Sequence, residues 1–521
     1  MRPDEAIKRL QAWHAGKPLP AYSTRHFAIA GDDDLLIVAF VRMGGESAPW
    51  GIAWGNPGQP PKVLTVPEAR NRDEVAGMVS DFAVSMLDHF MSPLVYDWQG
   101  VTERDKRLPL RQVWLPNAAH VAMLHFLAYS YTFTKYGERE RYTTLNAVGR
   151  LAGWLFREHD RPGQMAVVAA TDALRSTYIF PAEDIRQAHL GYLLAWLESP
   201  GDRGRRLAKA QEAEGQSISI TLDPVIERDE LEPLVAQWND KTLSLRAQSD
   251  AKHKIDAILG RELRTRFELV ERSIKHLRKN GLRENTGVAR LSDATMEEHW
   301  YQYLRMELRH NDLQDGIAFT PSPETDRNPA AAASRYLVQQ ASEDYYLSAL
   351  IHDDEELQKV ALLSGDGIRG RCVDVRDVGN GRSIRAVWTL EAPELAPLRI
   401  REGSKLCRVG APKREVQVQS VARKDADTIR VELLVTGALK PYSDDAGRSH
   451  PIANSTAYKG QDMTLVPVSM DQIARLKNRK IWGTAGPGAW ITHAKPAGAK
   501  MRLPKEAAGE DDNLFDKLAG L

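Results

Sequence analysis

Apolar and polar positions alternate along this chain in three distinct manners. From Leu35 to Val41 the run Leu-Leu-Ile-Val-Ala-Phe-Val is continuously apolar, as a strand covered on both faces would be. Trp50–Trp54 and Val63–Val66 follow as further strands, with the turn Gly-Asn-Pro-Gly at 55–58 between them. Val75, Met78, Val79, Phe82, Met86, Leu87 and Phe90 recur at three and four residues and predict a helix over about 72–90. Gln112–Leu115 reads as a strand that leads through Pro116-Asn117 into a helix from Ala118 to about Tyr131, with Asn117 as its N-cap. A helix near 143–157, a strand at Met165–Ala169 and a helix near 183–198 complete an alternation expected of an α/β layer, and a short amphipathic helix precedes it over 1–15.

Beyond about 228 the period is helical alone. Ile255, Leu259, Leu263, Phe267, Val270, Ile274 and Leu277 form one apolar seam, read as a long helix packed on a partner helix, with a second helix near 294–311. The stretch 320–329 holds three prolines and reads as a loop, and helices return over about 330–363. From Gly365 the pattern shortens to period two. Strands are expected at Arg369–Val375, Ser383–Leu390, Lys405–Val409, Val416–Val421, Thr428–Thr436 and Asp462–Pro467, a small barrel of the SH3 or OB kind. The predicted class is therefore multidomain α+β. An α/β unit occupies 1–205, a helical stalk 206–364, the barrel 365–470 and a basic-then-acidic tail 471–521.

Composition adds little until it is resolved along the chain. The 521 residues carry 70 Lys+Arg and 70 Asp+Glu, so net charge makes no argument for a polyanionic partner. The charge is segregated, however. Residues 261–283 hold eight Lys/Arg against three Glu, and 472–505 hold eight with no acid. On the long helix Arg261, Arg264, Arg272, Lys275 and Lys279 recur opposite part of the seam. The barrel contributes Arg408, Lys413, Arg414 and Arg423, and the tail Lys477, Arg479 and Lys480 beside Trp482. Cations neutralise phosphates and aromatic rings stack on bases, so these are the candidate nucleic-acid contacts. No run of about 18 apolar residues marks a membrane span, and the N-terminus has no apolar signal core, so a cytoplasmic protein is expected.

Catalytic chemistry is sought and mostly not found. No segment supplies Gly-x-x-x-x-Gly-Lys-[Ser/Thr], and Gly483–Trp490 is a glycine-rich turn without the lysine. Cys372 and Cys407 lie 35 residues apart without metal-ligand spacing, and His120 and His125 do not share a helix face. No cofactor and no metal are expected. The one enzymatic alternative is a metal-dependent nuclease with a dispersed carboxylate site, for which Asp34, Asp97 and Asp172 are the candidates. A protein-interaction scaffold is the other alternative.

The order of parts resembles the front half of large bacterial superfamily 1 helicases and nuclease-helicase fusions. The resemblance is carried by Asp34–Trp54, Gln112–Tyr129, the stretch Gln216–Trp238 and residues 365–436, which opens Gly-Asp-Gly-Ile-Arg-Gly-Arg-Cys-Val-Asp-Val. It implies an RNase H-like domain, a helical stalk and a barrel that contacts a nucleic acid strand. Two departures follow. The first strand lacks the carboxylates of an active RNase H-like exonuclease, and 471–521 hold no P-loop where the motor would begin. The expected function is thus a non-catalytic, DNA-binding accessory subunit whose helicase or nuclease is a separate protein, of the kind that serves DNA repair or phage defence.

Overall fold

The computed structural model describes residues 3–97, 111–159, 164–183, 185–216, 218–285, 346, 350–379, 385–394, 397–436, 442–443, 449–450 and 458–467. The expected helix at 294–311, the proline-rich loop at 320–329 and the tail at 471–521 lie outside those residues.

Chain order begins with α1 (Pro3–Ala15), β1 (Leu19–Pro20), β2 (Leu35–Arg42), β3 (Pro49–Gly55), β4 (Lys62–Thr65) and α2 (Arg72–Asp97). It continues with β5 (Gln112–Leu115), α3 (Ala118–Tyr131), α4 (Arg139–His159), β6 (Val167–Ala169), α5 (Ala170–Thr177) and β7 (Tyr178–Ile179). After a 3₁₀ turn come α6 (Leu190–Glu198) and α7 (Arg203–Glu214), then, beyond a π-helical turn at Ile226–Leu231, α8 (Glu232–Asn239) and α9 (Leu245–Asn280).

Five of these strands form one sheet in the order β4-β3-β2-β5-β6. Strands β2, β3 and β4 make an antiparallel meander, while β5 pairs parallel to β2 and β6 parallel to β5. The central strand β2 is buried from Leu35 to Val41, which is why its sequence is continuously apolar rather than alternating. On one face Phe40 and Trp54 meet Phe82 of α2 edge to face, with ring centroids 6.0 and 5.4 Å apart. On the other, Gly51 and Gly55 of β3 admit Leu263 and Phe267 of α9; a Cβ on Gly51 would lie 2.8 Å from Leu263 Cδ1. This unit is a mixed α/β sandwich with helices on both faces of the sheet.

The apolar seam of α9 packs against helix α8 and also joins the cores on the sheet: Ile255, Leu259 and Leu263 in one cluster, with Leu234, Val235 and Trp238 of α8 against it, and Phe267, Val270, Ile274 and Leu277 in the other. A helix of 36 residues needs an apolar surface about 50 Å long, and here the sheet and its flanking helices provide it. Ser244 caps its start by accepting from Ala247 N–H, and Arg278 and Lys279 complement the dipole of its last turn.

Of β2, strand β5 covers only Leu35–Ile37, so the rest of that edge needs other acceptors. Phe40 N–H donates to Nδ1 of the fully buried His120 at 3.2 Å, and Arg42 N–H donates to Ile220 O at 2.8 Å. Arg266, also fully buried, holds that second segment to α9. Its Nε and a terminal nitrogen donate to Ser219 O at 3.0 and 2.8 Å, and it reaches Glu262 Oε2 at 3.1 Å.

Helix α10 (Glu355–Leu363) leads into β8 (Ile368–Val378), β9 (Arg385–Pro393), β10 (Lys405–Arg408), β11 (Ala411–Arg423) and β12 (Thr428–Val435). A two-strand ribbon, β13 (Tyr442–Ser443) and β14 (Ser449–His450), precedes β15 (Asp462–Val466). Six of these close a barrel in the order β10-β11-β12-β9-β8-β15. Its interior is filled by Cys372, Trp388, Leu390, Val416, Val418, Val431, Leu433 and Leu465, the inward half of each period-two strand. Both cysteines are buried, and no disulfide joins them.

Candidate nucleic-acid interface

Because the seam of α9 is buried, the opposite face is held in solvent. Arg261, Arg264, Arg272, Lys275 and Lys279 are all exposed there, at steps of three, eight, three and four residues, and Glu268 fills the gap. Three- and four-residue steps keep side chains on one stripe, so these cations span about 27 Å along the helix. Lys254, two turns before the start of the stripe, extends it. The sequence reading passed over Lys254 although it stands in the same phase.

Local carboxylates answer part of this stripe. Arg261 lies 3.5 Å from Glu262, Lys275 lies 3.0 Å from Glu271, and Arg272 pairs with Glu198 of α6. Among the described residues no carboxylate pairs with Arg264 or Lys279. The C-terminal end of the stripe abuts the joint from which the barrel starts. Arg283 pairs with Asp353 at 3.2 Å, Arg25 with Glu284 at 2.7 Å, and Asp354 caps α10.

The barrel is different. Arg423 pairs with Glu394, and Glu391 takes both Lys424 at 2.8 Å and Arg430 at 2.6 Å, which hold its carboxyl below the usual range. Arg376 pairs with Glu432, Lys405 with Glu415 and Lys459 with Asp374. Cross-strand neighbours of opposite sign offset one another, so the described exterior carries no uncompensated cationic field from these residues. Arg408 is half-buried, its guanidinium 4.8 Å from the Tyr458 ring centroid and 3.3 Å from Gln461. Lys413 and Arg414 fall in β11, but their side chains lie outside the described residues. The same holds for Lys477, Arg479, Lys480 and Trp482.

The carboxylates of the nuclease alternative are not brought together. Asp34 precedes β2 and pairs with Arg111 at 3.1 Å, at the edge where the parallel strands begin. Asp172 follows β6, at the edge where they end, 3.9 Å from Arg175. At about 3.3 Å per residue, the three steps from Gln112 to Leu115 separate these levels by about 10 Å. Asp97 ends α2, with its side chain outside the described residues. Among the described residues no group of three His, Cys, Asp or Glu could hold a metal ion. No described helix is long and apolar enough to cross a membrane.

The two helical histidines divide as their spacing required. Burial pushes His120 down to about 3, with Arg266 acting in the same direction, so it is a neutral hydrogen-bond acceptor of the core. His125 is exposed. Comparison with protein-family models, with curated protein sequences and with solved structures returned no match.

Proposed function

We propose that this chain is a non-catalytic nucleic-acid-binding subunit, with DNA the expected ligand, that grips phosphates along the outward face of α9. The observation that carries this reading is the exposed stripe Arg261, Arg264, Arg272, Lys275 and Lys279 on a helix whose other face is locked into the sheet. A rigid rod of cations pays little ordering entropy when it meets a polyanion. The barrel, through Arg408, is a second contact. The five-strand order, an antiparallel meander extended by two parallel strands, supports an RNase H-like unit without catalytic carboxylates. The small closed barrel supports the SH3 or OB comparison. Strand separation or cleavage then belongs to a separate helicase or nuclease protein, in a repair or defence system.

The test is binding of a fluorescent single strand and a duplex of equal length across a salt series. The two cations without a carboxylate partner set the lower bound and all five set the upper. For duplex the slope of log K against log salt should fall between about −1.8 and −4.5. Over a fourfold rise in salt that is a loss of about tenfold to about five-hundredfold. Arg264→Glu with Lys279→Glu should abolish the steep response. A flat response in the parent protein, or no binding at low salt, ends the reading.

A further inference from the structure

Helix α3 contains fourteen residues and not one charged side chain. Its inner face is consumed by the core through Val121, Met123, Leu124 and Leu127. Its outer face is nevertheless solvent-facing: Ala118, Ala122 and His125 are exposed, and Tyr129 is 85% exposed. Phe133, just past the helix end, is 59% exposed. A surface helix ordinarily carries charge on this side, and a ring as exposed as Tyr129 buries little apolar area on folding.

The neighbouring helix supplies the complement. Gly149 and Gly153 let α4 approach α3 closely; a Cβ on Gly153 would lie 3.2 Å from Ala128 Cβ and 3.7 Å from an Arg157 guanidinium nitrogen. That places the exposed Arg157 at the α3–α4 seam, beside the residue preceding Tyr129. Half-buried Phe156 packs on His125, ring centroids 5.1 Å apart. Lys135 is exposed beyond the helix end. Over residues 111–159 the acidic residues are Glu138 and Glu140, exposed where α4 begins, and Glu158, which is buried. The face from His125 to Tyr129 is therefore aromatic, with Arg157 as the cation of the seam.

From this we infer that the outer face of α3, with Arg157, is a base-stacking platform for single-stranded nucleic acid. The inference rests on the nucleic-acid reading above and adds strand preference to it. Tyr129 and His125, one turn apart, offer π-faces to unpaired bases, and Arg157 and Lys135 take the flanking phosphates. Bases inside a duplex have no free faces, so this surface does not engage double strands. An apolar protein partner would not call for Arg157 at the seam, whereas a guanidinium beside exposed rings suits a polyanion with unpaired bases.

The experiment compares Tyr129→Ala, Tyr129→Trp and Arg157→Ala on a 20-nucleotide oligothymidylate and on a duplex of the same length. Tyr129→Ala should weaken the single strand about tenfold and leave the duplex unchanged, and Tyr129→Trp should retain affinity, because stacking needs a ring and not a hydroxyl. Arg157→Ala should lower the single-strand salt slope by about 0.7, while Tyr129→Ala leaves the slope alone. Single-strand affinity indifferent to Tyr129→Ala, but lost in Arg264→Glu with Lys279→Glu, removes the platform and keeps the α9 reading. If the parent protein binds neither ligand, both fall. If Tyr129→Ala instead shifts self-association in sedimentation without touching oligonucleotide binding, the face is a protein interface and the platform is refuted.

Discussion

Asp354 offers the sharpest test of how the sheet unit and the barrel are joined. Its carboxylate is fully buried and accepts five hydrogen bonds. Oδ2 takes Thr24 N–H at 2.9 Å, the Thr24 hydroxyl at 2.7 Å and His26 Nε2 at 3.1 Å. Oδ1 takes Glu356 and Leu357 N–H at 3.0 and 3.2 Å, capping α10. In Asp354→Asn the amide oxygen can keep the cap, since Asn caps helices as well as Asp does. The amide nitrogen then faces three former donors. The Thr24 hydroxyl can turn round and His26 can change tautomer, but Thr24 N–H cannot, and it is left buried without an acceptor. That orphan costs about 1–3 kcal/mol, and loss of charge assistance at the others adds about 1 more, for about 3 kcal/mol in all.

Amide hydrogen exchange reads this locally. Thr24 N–H should exchange about a hundredfold faster in the variant, with a matching fall in the urea midpoint. Unchanged exchange at Thr24 together with an unchanged midpoint would refute the argument. The pH dependence has a definite sign. Burial alone would raise the Asp354 pKa, but hydrogen bonds from His26, Thr24 and Leu357 N–H outweigh it and hold the carboxyl well below the usual carboxylate range. A carboxyl depressed on folding stabilises above its unfolded value of about 4 and loses that contribution as pH falls below it. The variant should therefore show a flatter stability profile below about pH 4 than the parent.

Three further outcomes follow from the structure. His120, pushed down to about 3, and His89, pushed down to about 4, stay neutral in the fold while the unfolded chain takes up protons below about pH 6.5. Stability should fall by about 1.4 kcal/mol per pH unit per histidine over that window, and His120→Gln should remove one such increment in denaturation series across pH. Gly149→Ala would put a Cβ 2.5 Å from Thr132 N, a backbone atom that cannot step aside. The melting temperature should drop by several degrees, corresponding to about 1–3 kcal/mol; an unchanged melt would contradict the close α3–α4 crossing. Arg266→Ala should cost about 3–5 kcal/mol by stranding Ser219 O and Glu262, and a loss below about 1 kcal/mol in chemical denaturation would show that water replaces the guanidinium there.

The apolar periodicity alone located β2, β3, β5, α3 with its Asn117 cap, and all six barrel strands, because each lies where local pattern and final burial agree. It also set which face of α9 is apolar and which cationic. The partner of that seam was only partly legible: a stripe at steps of three and four fits a helix or a sheet equally well, and the fold sets both α8 and the meander of β2–β4 against it. Barrel cations read as a patch in sequence because strand neighbours are remote along the chain; Arg423, a member of that patch, is offset by Glu394 in the fold, as Lys424 and Arg430 are by Glu391. The absence of charge from α3 was visible in its fourteen letters, yet its meaning depended on α4, which left Tyr129 in solvent and set Arg157 close by. Sequence fixes the period and chemistry of each surface; the partner each surface meets is a non-local contact, and only the folded chain selects it.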